Sequence, residues 1–274
     1  MIIYCAKHGG FCFGVKRAIK MALHATKKWK TVYSLGPLIH NRVAVEDLRK
    51  KGIITVNRAS EIKNKKVIIR SHGIHPDILS KLKRRSFEII DATCPRVRRA
   101  QRYVAKLIKE GYYVIIVGEK DHPEVKGLLG YAGNKAEIYS DHLIPKKRKI
   151  GIVPQTTLDI EHFNQAVSNL MASVLEMKIY NTICHETIFR IKEALRIAEK
   201  ADAMIVVGGK NSANTTRLYQ ICKRFKPSYH IESVDEISPE QFRGIGSIGI
   251  TAGASTPKEQ VKDVVKHLRK LFPH

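Results

Sequence analysis

Three stretches of the chain repeat one order of apolar and polar positions. Short apolar runs at Met1–Ala6, Phe87–Asp91 and Met177–Thr182 each lead to a cysteine: Cys12, Cys94 and Cys184. Beyond each cysteine, apolar residues recur every three or four positions over Val15–Leu23, Val97–Ile108 and Ile188–Ala198, which predicts three amphipathic helices. A strand-like run closing on glycine follows each helix: Thr31–Gly36, Tyr112–Gly118 and Ala203–Gly208. The interval from cysteine to glycine is 24 residues in all three cases (36−12, 118−94, 208−184), and four residues further on stand His40, His122 and Ser212. Matched intervals of this kind are the signature of an internal repeat.

The repeat continues through helices at Val43–Lys51, Val125–Tyr131 and Thr215–Lys223, and then a short strand. A further strand in each ends in a small polar cluster, at Val67–Gly73, Ile150–Thr157 and Ile248–Ser255. A last helix closes each stretch (Pro76–Lys83, Ile160–Leu175, Pro257–Leu271). Strands alternating with helices predict βαβ units and small parallel sheets, hence an α/β protein of three pseudo-threefold-related units. We expect the units to span residues 1–93, 94–182 and 183–256, with the C-terminal helix 257–274 completing the first. The third unit lacks one strand, which Met1–Ala6 can supply. In parallel sheets functional groups lie where strands end and helices begin. Cys12, Cys94, Cys184, His40, His72, His122, Thr156, Ser212 and Ser255 all fall there, and threefold arrangement would converge the cysteines on one point.

Composition narrows the picture without redirecting it. At 274 residues, 43 % hydrophobic and 27 % charged, the chain reads as an ordinary globular protein. Its apolar runs fall far short of the ~20 residues of a membrane span, and its start does not resemble a signal peptide, so a cytoplasmic location is expected. The net charge of +24 (49 Lys plus Arg against 25 Asp plus Glu) implies an anionic partner. The charge is dispersed and no nucleic-acid-reading motif accompanies it, which argues against nucleic acid. Five cysteines without a C-x-x-C pair suit neither a closed disulfide framework nor a usual structural zinc site. Gly9–Gly14 lacks the dinucleotide-binding spacing, and no Walker pattern is present.

Thiolates at three equivalent points favour zinc, copper(I) or an iron–sulfur cluster, and a helix start beside each favours the anionic sulfur. A cubane cluster held by three cysteines would leave one iron open to a substrate oxygen. Cys5 and Cys222 have no counterparts in the other stretches and read as space-filling residues. Histidines and hydroxyls at strand ends suit a diphosphate. Glu124, in His122-Pro-Glu-Val, would point near the same place and could deliver a proton to a leaving hydroxyl.

Nine blocks, in order, carry a resemblance over essentially the whole chain. They are GFCFGVKRAI from Gly10, GPLIHN from Gly36, RSHG from Arg70, DATCP from Asp91, HPEVKGLLGYAG from His122, QTTL from Gln155, TIC from Thr182, GGKNSANTTRL from Gly208 and TAGAS from Thr251. With these the sequence resembles the 4-hydroxy-3-methylbut-2-enyl diphosphate reductases. The resemblance implies a trefoil of three α/β units around a [4Fe–4S] cluster, one per subunit, with Cys12, Cys94 and Cys184 as ligands and one iron lacking a protein ligand. It implies diphosphate contacts from His40, His72, His122, Ser212, Asn214 and Ser255, with Thr156 and Glu124 near the substrate hydroxyl and Glu124 as proton donor. The implied reaction is reductive dehydroxylation of an allylic diphosphate to isopentenyl and dimethylallyl diphosphates. Electrons would come from an external donor such as ferredoxin or flavodoxin. Two places depart from the family pattern: Ala213, where many relatives carry serine, and the His185–Arg190 stretch. Two rivals are a non-redox anion-binding protein with zinc or empty cysteines, and a diphthamide-type radical enzyme, which would need a nucleoside site.

Overall fold

In the computed structural model of the protein, which describes residues 1–272, the repeat appears as one element order used three times. The first pass runs β1 (Ile2–Cys5), α1 (Phe13–Trp29), β2 (Val32–Leu35), α2 (Arg42–Lys50), β3 (Ile53–Val56), β4 (Lys66–Ile69) and α3 (Pro76–Arg84). The second runs β5 (Glu88–Asp91), α4 (Pro95–Lys109), β6 (Tyr113–Val117), α5 (Pro123–Ala132), β7 (Ala136–Ile138), β8 (Lys149–Pro154) and α6 (Ile160–Met171). The third runs β9 (Glu176–Ile179), α7 (His185–Ala198), β10 (Ala203–Val207), α8 (Ala213–Lys223), β11 (Ser228–Ile231), β12 (Ser247–Ala252) and α9 (Lys258–Leu271).

These strands form three four-stranded sheets, ordered β3-β2-β4-β5, β7-β6-β8-β9 and β11-β10-β12-β1. All pairings are parallel. Each sheet takes its fourth strand from the pass that follows, and the last takes it from the start of the chain. Ile2 to Cys5 of β1 lie in register with Ser247 to Ile250 of β12, as the missing-strand argument expected. The central strands β6, β10 and β12 read as near-continuous apolar runs and are almost wholly buried, as parallel strands covered on both faces must be.

The chain falls into two compact units. One comprises residues 16–38 and 48–184 and holds the first two sheets. In its first sheet Tyr33, Val56, Val67 and Ile69 bury against Leu82 of α3. In its second, Val114, Ile116 and Val153 pack with Val104 and Leu107 of α4 and with Val125 and Leu128 of α5. Helices α3 and α5 meet where Gly130 leaves room, since a Cβ there would come within 2.5 Å of the His75 ring. The other unit comprises residues 1–15, 39–47 and the described residues from His185 on, and holds the third sheet. There Val261, Val264 and Leu268 of α9 share a core with Ile248 and Ile250 of β12. Helix α9 packs on the strand just upstream of it, and Met1 and Ile3 lie against the same core. A short β-to-α link keeps the two adjacent, and the apolar stripe of α9 closes over the nearest uncovered sheet face. Among the described residues no helix is long and apolar enough to cross a membrane.

Candidate active site

The three repeated cysteines occupy one local geometry. Each immediately precedes a helix: Cys12 before α1, Cys94 before α4 and Cys184 before α7. Each follows the sheet's borrowed edge strand, and its backbone N–H donates across to the neighbouring strand's exit loop. Cys12 donates to the Ala254 carbonyl at 2.9 Å, Cys94 to Ser71 at 2.9 Å and Cys184 to Thr156 at 2.8 Å. Each acceptor stands two residues beyond its strand, after β12, β4 and β8 (254−252, 71−69, 156−154). All three cysteines are half-buried, whereas Cys222 is buried in α8 and Cys5 is exposed in β1. Burial pushes the Cys222 thiol up to about 12, which makes it an inert apolar filler.

In the unit holding the first two sheets, the exit loops gather His72, His122, Glu124 and Thr156. Helix α5 begins His122-Pro123-Glu124, and His122 caps it by accepting the Glu124 N–H at Nδ1, 3.2 Å away. With Nδ1 an acceptor, a neutral ring carries its proton on Nε2. The rings of His72 and His122 meet edge to face, 5.4 Å between centroids. The cap turns Glu124 inward, where it is 1 % exposed. One residue satisfies both its oxygens: Thr156 donates its backbone N–H at 2.7 Å and its hydroxyl at 2.8 Å. Burial raises the Glu124 pKa from 4.5 to about 7, against the two Thr156 bonds, which favour the anion. A carboxyl of that kind is half-protonated near neutrality, which is the condition for giving up and regaining a proton.

In the other unit, Ser212 caps α8 by accepting the Thr215 N–H at 3.4 Å. Asn214 lies in the first turn of the same helix, and its Nδ2 is buried with no hydrogen-bond acceptor among the described residues. That donor is free to serve an anion at the helix start, which fits a diphosphate. The backbone approaches closely here: a Cβ on Gly209 would stand 2.8 Å from the His40 carbonyl oxygen, and one on Gly253 would collide with the Thr215 hydroxyl. Ser255 is buried in the loop that also carries Ala254, the acceptor of the Cys12 N–H.

Two residues escaped the sequence reading. Asn41 is 2 % exposed; its Oδ1 accepts the Ala44 N–H at the start of α2, and its Nδ2 donates to Gln260 at 3.1 Å. Arg190, within the stretch that departs from the family pattern, is 4 % exposed and donates to the carbonyls of Gly10 at 2.7 Å and Ala252 at 3.2 Å. It thereby ties the loop before Cys12 to the end of β12. Burial pulls its pKa below the ordinary arginine value, opposed by the negative charge available at Cys12 and Glu186. A signal for it existed: Thr187, Arg190, Ala194 and Ala198 share the buried stripe of α7, so a charge stands at an inward-facing position.

By fold and side-chain chemistry this is a three-sheet parallel α/β protein with a cysteine between each borrowed edge strand and the helix that follows it. A family profile described as LytB protein matches residues 3–269. The 4-hydroxy-3-methylbut-2-enyl diphosphate reductase of Citrifermentans bemidjiense is 43 % identical over 277 residues, covering 99 % of this chain and 98 % of that protein. The protein of the same name from Aquifex aeolicus is 44 % identical, covering 97 % and 96 %. A solved structure described as (E)-4-hydroxy-3-methyl-but-2-enyl diphosphate reductase, the terminal enzyme of the non-mevalonate pathway, is similar at a TM-score of 0.72 and 42 % identity, covering 98 % of this chain and 100 % of that one. The E-1-hydroxy-2-methyl-but-2-enyl-4-diphosphate reductase of Plasmodium falciparum is similar at a TM-score of 0.92 and 30 % identity, covering 98 % and 88 %. The chain belongs to the LytB family, the 4-hydroxy-3-methylbut-2-enyl diphosphate reductases.

Proposed function

We propose that this protein removes the hydroxyl of (E)-4-hydroxy-3-methylbut-2-enyl diphosphate reductively, giving isopentenyl and dimethylallyl diphosphates. Two electrons and two protons enter, the C–O bond breaks and water leaves. The observation that carries this reading is the buried Glu124 carboxyl. In support, its pKa is about 7, and two hydrogen bonds from Thr156 hold it beside the strand end whose carbonyl accepts the Cys184 N–H.

Glu124 is the proposed proton donor. Thr156, donating its hydroxyl to one Glu124 oxygen, orients the carboxyl. His122, with a neutral-ring proton on Nε2, is the third member of the catalytic group. His40, His72, His122, Ser212, Asn214 and Ser255 are the proposed diphosphate contacts; the buried Asn214 amide supports this set.

Cys12, Cys94 and Cys184 are the proposed ligands of a [4Fe–4S] cluster, one per subunit, with one iron lacking a protein ligand. Three soft donors in one repeated geometry, none in a disulfide, suit such a group. The cluster would supply the two electrons and a Lewis-acid site for the departing oxygen. The electrons would reach it from a separate acidic carrier such as ferredoxin or flavodoxin, in the cytoplasm. The net charge of +24 favours such a partner.

Anaerobically purified protein should oxidise reduced viologen dye rapidly when hydroxymethylbutenyl diphosphate is added, and not without it. A brown, cluster-replete sample that stays inert to this substrate would overturn the reading.

A further inference from the structure

Outside the site above, a cavity of about 500 Å³ opens at the carboxyl ends of β3, β2 and β4, against α3. Its size falls within the range of small-molecule sites, and strand carboxyl ends are where α/β sheets take ligands. Among the described residues four cations line it, Arg58, Arg70, Lys81 and Arg85, and no acidic residue does. Arg70 follows β4 directly, and its guanidinium lies over Gly36, where any side chain would collide with it; the Gly36 backbone adopts φ +73°. Arg70 is half-buried, and burial alone acts on its ionisation, pulling the pKa down with no neighbouring acid to oppose it. A desolvated guanidinium without a counter-ion is costly, and a ligand anion would offset that cost.

Apart from Asn57 and the Gly36–Pro37 turn, the rest of the lining is aliphatic. Leu35, Ile74 and Ile78 face the same space, and Ile78 is 41 % exposed although it is large and apolar. Among the described residues no aromatic ring lines the cavity, so a nucleobase would find none of them to stack on. Arg58 and Arg70 at the strand ends and Lys81 and Arg85 at the C-terminal part of α3, with aliphatic groups beside them, call for a ligand with both an anionic part and a hydrocarbon part.

We propose that this cavity is a second binding site, taking a diphosphate ester with an aliphatic tail. The diphosphate lies against Arg58, Arg70, Lys81 and Arg85, and the tail along Leu35, Ile74 and Ile78. The ligand chemistry is read from the cavity itself and stands or falls apart from the proposed reaction.

Titration calorimetry on the anaerobically purified full chain tests this with geranyl diphosphate and inorganic diphosphate as probes. Lys81→Glu with Arg85→Glu, both exposed positions, should weaken geranyl diphosphate binding at least tenfold while leaving turnover of hydroxymethylbutenyl diphosphate unchanged. Binding at the proposed active site is common to parent and variant and cancels in the comparison. Ile78→Gln should weaken geranyl diphosphate several-fold and leave inorganic diphosphate unaffected. Affinities unchanged in both variants would overturn the site. Inorganic diphosphate binding as tightly as geranyl diphosphate would overturn the assignment of a tailed ligand.

Discussion

Glu124 and Thr156 stand 32 residues apart in sequence, yet Thr156 donates both its N–H and its hydroxyl to the two oxygens of the Glu124 carboxyl. Burial works against the charge and the two bonds work for it, and burial prevails, leaving the group near pKa 7. The same threonine presents its carbonyl to the Cys184 N–H. One residue thus fixes the position of the proposed proton donor and of a proposed cluster ligand.

Glu124→Gln should lower kcat by about 10²–10⁴-fold, the usual worth of a positioned acid. Iron content and the visible spectrum should be unchanged, because no proposed ligand is touched. Steady-state assays beside iron analysis check this, and full activity in the variant would remove Glu124 from the proton-donor role.

The raised pKa of Glu124 also makes stability pH-dependent. The folded state holds this proton more tightly than the unfolded chain, so the stabilising contribution is complete below pH 4.5 and is lost as pH rises through about 7. Glu124→Gln stays neutral throughout. Relative to it, the parent should lose up to about 3 kcal/mol between pH 4.5 and 8. Thermal midpoints of both proteins across that window measure the difference; parallel profiles would contradict the assigned shift.

Cys94→Ser should purify with little bound iron and no turnover. Cys222→Ala, at a buried filler position in α8, should keep its iron and lose only about 1 kcal/mol of stability through a small cavity. Iron and sulfide analysis separates the two, and iron loss in Cys222→Ala would overturn the proposed ligand set.

Arg190→Met should destabilise the protein by about 2–4 kcal/mol, since it strands the buried carbonyls of Gly10 and Ala252. Arg190→Lys should recover only part of this, because an ammonium cannot span two acceptors as a guanidinium does. Thermal melts of the three proteins would show the order Arg, Lys, Met.

Much of this was legible in the chain itself. The matched intervals from Cys12, Cys94 and Cys184 carried the element order, the parallel α/β class and the need for β1 in the third sheet, because period and turn chemistry are local. The strand-end histidines and hydroxyls followed from the same register. What only the tertiary structure decided are the pairings between distant faces. An apolar stripe on α9 states that a face will be buried, not that Ile248 and Ile250 of β12 will cover it. The stripe of α7 places Arg190 on the inward face, but only the fold supplies its partners, the Gly10 and Ala252 carbonyls. Glu124 reads from its place in the repeat as a proton donor, but its raised proton affinity appears only once Thr156 and the surrounding core exclude water, because desolvation belongs to the packed protein and not to any segment of it.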